Sequence, residues 1–143
     1  MSEKKSAPKS SGEMTGNEMF DRGMAIRRKV LGDAYVDKAL SKSGPFNEPL
    51  QELVTTYCWG WNWGREGLPL RDRSLINIAM IAVLNRSHEL KIHIRGALNN
   101  GLSRDEIREV LLQVGIYAGI PAAVDSFRLA NEAFAEIDAE DAA

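Results

Sequence analysis

The chain is 143 residues long, the size of one ordinary domain. It is 44% hydrophobic and 27% charged with a net charge of −2, which excludes wholesale disorder, a membrane bundle and the basic balance of a non-specific nucleic-acid binder. One cysteine excludes an intramolecular disulfide framework and a cysteine zinc cluster, and two histidines leave little for a metal site.

Residues 1–14 are dominated by Lys, Ser, Gly and Glu and carry almost no apolar side chain. They cannot bury enough surface to offset ordering, so a disordered tail is expected. They also lack the apolar core of a secretory signal. With the lone cysteine, this points to the cytosol. The domain proper is expected over 15–137, and 138–143 is expected to fray.

Thr15-Gly-Asn-Glu18 is a capping box, in which hydroxyl and carboxylate satisfy the orphan N–H groups of a starting helix. The helix is predicted from about Gly16 to Leu31, stopped by Gly32. A short second helix follows Asp33 and runs to about Ser41. Asn47 is a plausible cap for a third helix over roughly 48–63, with Leu50, Leu53, Val54, Tyr57 and Trp61 at helical spacing. A fourth is predicted over about 71–85. Its run Leu75–Leu84 is apolar on nearly every side, which implies a central helix covered all round, in part by another subunit. It is too short to cross a bilayer.

Ser87 is placed to cap a fifth helix ending before Gly101. Ser103-Arg-Asp-Glu106 is a second capping box and opens a sixth through about Ala118. Gly119-Ile-Pro121 breaks the chain, and a last helix is predicted from Pro121 to about Ile137. No alternating β-rich run interrupts this series. The fold class is all-α, a single domain of six or seven helices.

The most distinctive stretches are W-G-W-N-W-G-R-E-G-L from Trp59, R-D-R-S-L-I-N-I-A from Arg71, H-E-L-K-I-H-I-R-G-A-L-N-N-G-L-S-R-D-E-I from His88, and Y-A-G-I-P-A-A from Tyr117. With the earlier R-R-K-V-L-G and Y-V-D, the ordered set from about Met19 to Phe134 resembles the carboxymuconolactone decarboxylase family. That resemblance implies an all-helical, alkylhydroperoxidase D-like fold assembling into rings, a homo-oligomer such as a trimer or hexamer. It also implies a cofactor-independent lyase that removes CO₂ from a small unsaturated lactone or cyclic carboxylic acid in aromatic-compound catabolism. Such a substrate is its own electron sink. The protein then has to hold carboxylates, stabilise a developing enolate oxygen and deliver a proton to carbon. No membrane, nucleic-acid or metal partner is implied.

On this resemblance Arg73 stands in the R-S-L motif, and His93 and Arg95 stand in H-x-R-G-A-L. The arginine fork suits a carboxylate, and a histidine titrating near neutral pH suits proton delivery. Each residue also has a plainer reading. Arg73 can pair with a neighbouring acid, Arg95 can form an interface salt bridge, and His93 can be a satisfied structural histidine. Where family decarboxylases read W-G-E, this chain reads Trp59-Gly60-Trp61. Where they often carry a histidine in the sixth helix, it has Gln113. A changed substrate or weakened activity is therefore expected. Alternate helical positions point about 200° apart, so the three tryptophans cannot share one face. Trp59 and Trp61 are candidates for the wall of an apolar ligand pocket, or else for core or interface.

Two further functions remain open. One is a non-catalytic ligand-binding or assembly protein that kept the fold and lost the acid. The other is peroxidase activity. The C-x-x-C-x-x-x-H pattern of the wider superfamily matches here only at His93, with Arg86 and Glu89 at the thiol positions. This leaves the single Cys58, a residue type most often buried as a small hydrophobe.

Overall fold

The computed structural model describes residues 14–143, so the expected tail lies, but for Met14, outside the described residues. Seven α-helices are present among them: α1 Gly16–Leu31, α2 Asp33–Ser41, α3 Glu48–Leu53, α4 Leu70–Val83, α5 Ser87–Asn99, α6 Arg104–Ala118 and α7 Ile120–Asp141. A π-helical segment, Val54–Asn62, continues directly from α3. No strand occurs among the described residues.

Both capping boxes form. Thr15 accepts from the Glu18 amide while the Glu18 carboxylate accepts from the Thr15 amide, and Ser103 and Glu106 repeat the exchange. Ser87 and Asn47 behave differently from expectation. Ser87 is the first residue inside α5, and Asn47 makes no side-chain cap bond. Gly32 and Gly119 lie at φ +88° and +106°, a region that penalises any Cβ, and there the chain turns from α1 into α2 and from α6 into α7. The last helix continues past Ile137 to Asp141 because its end is tied down: Asp138 pairs with Arg104, and Glu140 with Arg95.

Two apolar clusters form the interior. One joins α4, α5, α6 and α7 through Ile78, Leu90, Ile94, Ile107, Leu111 and Leu129. The other joins α1, α2 and the π segment through Val30, Leu31, Val36, Trp59 and Trp63. Helix α5 serves both, with Ile94 in the first cluster and Ile92 packed on the second. His93 therefore sits at the seam.

The expected continuous third α-helix is replaced by a short α3 and the π segment. The cause is tertiary. A Cβ on Gly23 would come within 1.9 Å of the Thr55 carbonyl oxygen, and one on Gly60 within 2.1 Å of that of Met19. Helix α1 and the π segment thus meet backbone to backbone. The wider turn shifts carbonyls out of the α register: the Trp63 amide bonds to the Cys58 carbonyl at 3.0 Å, and Arg22 reaches the Gly60 carbonyl through Nε and Nη2. As a result Thr55, Thr56, Trp59, Gly60 and Trp63 are buried. Of the apolar series at helical spacing, Leu50, Leu53, Tyr57 and Trp61 are exposed.

Helix α4 also departs from all-round burial. Ser74, Ile78 and Ala82 are buried, whereas Ile76, Met80 and Val83 are exposed. On α6, Leu112, Ile116 and Tyr117 are exposed as well, and Tyr117 shares a groove with Ile76 and Val83. A groove of about 430 Å³ runs between the two helices, lined by Ile76, Ala79, Val110, Val114 and Tyr117 among others. No helix among the described residues is long and apolar enough to cross a membrane.

Candidate active site

Helix α5 carries His93 inward between the two clusters, where it retains 9% of its surface. The imidazole lies nearly parallel to two indoles. Its centroid is 6.1 Å from Trp59 at 12° and 6.2 Å from Trp63 at 23°. The tryptophans are four residues apart, Trp59 within the π segment and Trp63 just past its end, with ring centroids 4.8 Å apart. From α4, the Asn77 amide nitrogen stands 3.0 Å from His93 Nδ1. With that amide donating, Nδ1 is the acceptor and the ring proton resides on Nε2.

Burial lowers the His93 pKa from 6.5 to about 4. The expectation of a histidine titrating near neutral pH is corrected here. Indoles and apolar side chains cannot solvate an imidazolium, so the ring is neutral at pH 7. A neutral imidazole bearing Nε2–H is a poor proton donor to carbon. It is a good hydrogen-bond donor to an oxygen that gains charge.

Arg73 lies four residues before Asn77, one turn away on the same face of α4. Its Nη2 donates to the Arg65 carbonyl at 3.1 Å and its Nη1 reaches Asn62 Oδ1 at 3.5 Å. Its Nε is buried without a partner, and no carboxylate pairs with it among the described residues. The neighbouring acid of the plainer reading is thus not found there.

The remaining sequence candidates lie elsewhere. Arg95 points about 200° round α5 from His93 and grips Glu140 in two-point fashion, at 2.7 and 2.9 Å. Trp61 is 43% exposed, with the Arg65 guanidinium 4.9 Å from its ring centroid. Gln113 is exposed on α6 and lines the groove against α4. The structure therefore brings together Trp59, His93 and, through Asn77, the face of α4 that bears Arg73. It leaves Arg95, Trp61 and Gln113 on the surface of the single chain. Cys58 shows surface to solvent, yet desolvation raises its thiol pKa above the ordinary value, with the Arg27 guanidinium acting in the opposite sense. Among the described residues no group of three or more His, Cys, Asp or Glu is placed to hold a metal.

Asn77 and Trp63 were missed in the sequence. The signal for Asn77 was there: it is a polar residue inside the apolar run of α4, and such a residue needs a partner when it packs inward. Trp63 was missed because its facing depends on the π segment.

The model of the family described as "Carboxymuconolactone decarboxylase family" matches residues 48–132, which span the π segment, α4, α5, α6 and the first half of α7. This chain belongs to the carboxymuconolactone decarboxylase family. It is 36% identical over 124 residues to 4-carboxymuconolactone decarboxylase of Acinetobacter baylyi, covering 87% of this chain and 92% of that protein. It is 40% identical over 120 residues to nitrosuccinic acid decarboxylase npaB of Metarhizium robertsii, covering 81% and 84%. A 4-carboxymuconolactone decarboxylase of Pseudomonas putida matches at 45% over 47 residues, a third of this chain and 98% of the relative. His93, Trp59, Trp63, Asn77 and Arg73 all lie within the family match.

Proposed function

We propose that this chain is a cofactor-independent decarboxylase of small carboxylic acids, with a small unsaturated lactone or cyclic acid from aromatic-compound breakdown as its first candidate substrate. The two relatives matched along most of their length are both named decarboxylases, one for 4-carboxymuconolactone and one for nitrosuccinic acid. Both names describe acids with an electron-accepting group, a lactone or a nitro group. The observation that carries the reading is the neutral His93, held by Asn77 with its Nε2–H unspent.

In the proposed reaction the bond from carbon to the departing carboxylate breaks and CO₂ leaves. The electron pair delocalises into the lactone carbonyl, or into a nitro group, and an oxyanion forms. His93 Nε2–H donates to that oxygen, beside indoles whose low polarity strengthens the bond. Arg73, with no acid beside it, holds a substrate carboxylate. Trp59 supplies a flat wall for an unsaturated ring. The carbanion-like carbon then takes a proton from water, since a histidine with a pKa of about 4 holds no spare proton at neutral pH.

The test is direct. Purified protein is given 4-carboxymuconolactone and, separately, nitrosuccinate, and CO₂ release is followed. The expected result is turnover of at least one acid, lowered about 10²–10³-fold in His93→Ala, the scale of losing one oxyanion donor. No release, with the lactone raising Tm, would support the non-catalytic binding protein instead. Peroxide consumption lost in Cys58→Ser would support a peroxidase, against which the raised thiol pKa already argues.

The proposal includes a cytosolic homo-oligomer, a trimer or hexamer. What supports assembly is the set of exposed apolar residues on α4 and α6, among them Ile76, Met80, Ile116 and Tyr117, with Ile76 and Tyr117 lining one groove. Light scattering at micromolar concentration is expected to give a multiple of the chain mass, and a monomer would count against it.

A further inference from the structure

Two buried side-chain polar atoms have no hydrogen-bond partner among the described residues, Nε of Arg73 and Nε of Arg27. Arg73 belongs to the site above. Arg27 lies on α1, before the family match begins, and retains only 5% of its surface. Its Nη1 is fixed by two acceptors, Gln51 Oε1 at 2.8 Å and Thr55 Oγ1 at 3.4 Å. Nε and Nη2 make no hydrogen bond to any described residue, and no carboxylate stands within ion-pair distance. One edge of the guanidinium is anchored and the other is open. The open edge is the one whose two N–H groups lie parallel, the fork that takes both oxygens of a carboxylate.

A buried cation without a counter-anion is unfavourable, and charged side chains are rarely this deep unless paired. Desolvation lowers the Arg27 pKa, and Tyr35, Cys58 and Glu89 only oppose this from a distance. The contacts of Arg27 tie it to the π segment that carries the candidate site. Thr55, which it touches, begins the buried face of the π segment. Trp59, four residues on, stacks over His93, and Asn62 at the far end meets Arg73. The two arginines thus contact opposite ends of the segment, Arg27 at Thr55 and Arg73 at Asn62, and Trp59 between those positions stacks on His93.

We infer that the open edge of Arg27 binds the second carboxylate of a small diacid, the one that stays on the product, and so selects diacids over monoacids. Gln51 and Thr55 are positioning residues that hold the fork in place. The inference rests on the decarboxylase reading for the role of His93, but not for the binding of the diacid.

The experiment is calorimetric titration of the full chain with succinate and with butyrate, acids of equal chain length and different charge. Succinate is expected to bind at least about tenfold tighter, the scale of a charge-assisted hydrogen-bond pair. Arg27→Lys, which keeps the charge and loses the fork, and Arg27→Gln are each expected to remove most of that preference and leave butyrate unchanged. Equal binding of the two acids by the unaltered chain overturns the inference whether or not the variants fold. A second source of the same carboxylate is another copy of this chain. An oligomer that dissociates in Arg27→Gln while the succinate preference persists would assign the fork to that copy and overturn the inference. CO₂ release that needs His93 but keeps its KM in Arg27→Lys would uphold the decarboxylase and refute the role of Arg27. A diacid preference that needs Arg27, in a protein releasing no CO₂, would do the reverse.

Discussion

His93 makes a prediction that needs no substrate. In the folded chain its pKa is lowered to about 4 by burial, while in the unfolded chain it returns to about 6.5. Between those values the unfolded state binds more protons than the folded state, so stability rises with pH across this window and is lost as pH falls from about 6.5 to about 4. Full expression of the difference corresponds to about 3 kcal/mol, a large part of the stability of a domain this size. Other groups titrate in the same range, so the perturbation is His93→Gln, which removes the titration and keeps a polar side chain beside Asn77. Urea unfolding followed by circular dichroism at pH 7, 6, 5 and 4 gives the free energy for both proteins. The stability difference between the two proteins is expected to shift by about 3 kcal/mol between pH 7 and pH 4, because the unaltered protein loses that much more than the variant. Parallel curves would refute the buried, neutral imidazole. The catalytic role drawn from it would then fail as well, because a solvated His93 would be partly protonated near neutral pH.

The other expectations concern packing and the surface. Gly23→Ala places a methyl against the Thr55 carbonyl with no flexible side chain to yield, and is expected to cost about 2–4 kcal/mol in thermal unfolding; a melting temperature within a degree of the unaltered protein would contradict the close approach of α1 and the π segment. Arg95→Ala breaks a partly exposed ion pair with Glu140, so stability should fall by at most about 1 kcal/mol, and KM for any turned-over acid should be unchanged; a large rise in KM would bring Arg95 back to the site.

What could be read from the sequence followed the range of the forces involved. Capping boxes act within four residues, and those at Thr15 and Ser103 were legible as letters. Helices α1, α2 and α6 end where glycine or a turn ends them, and the family motifs located His93 on its helix. The π segment was not legible, because its cause is the approach of Gly23 and Gly60 to another helix rather than any local preference. With that change Tyr57 and Trp61 lie at the surface and Trp63 is a neighbour of His93. Arg27 was hidden for a different reason. In Arg27-Arg-Lys29 it looks like part of a solvated charge run, and its neighbour Arg28 does pair at the surface with Asp33 and Asp37. Yet Gly23, Arg27, Val30 and Leu31 fall at helical spacing, and all four are buried. The period held the signal, and the residue type concealed it.

The facing of position 61 also changes what its departure from W-G-E means. In this chain Trp59 and Trp63 share the face toward His93, and position 61 falls between them on the opposite face. A carboxylate at 61 would therefore point away from the imidazole of its own chain. Gln113, the other departure, is likewise on the surface, in the groove between α4 and α6. The two substitutions remove nothing from around His93 within one chain. They alter surfaces bordered by exposed apolar side chains, where a second copy has most to gain by packing. On the proposed reading, the histidine, its asparagine and the two arginines without acids are the groups of one chain that bind and polarise the diacid. On that reading, any effect of Trp61 and Gln113 on the choice of acid has to arise outside the surroundings of His93 in its own chain.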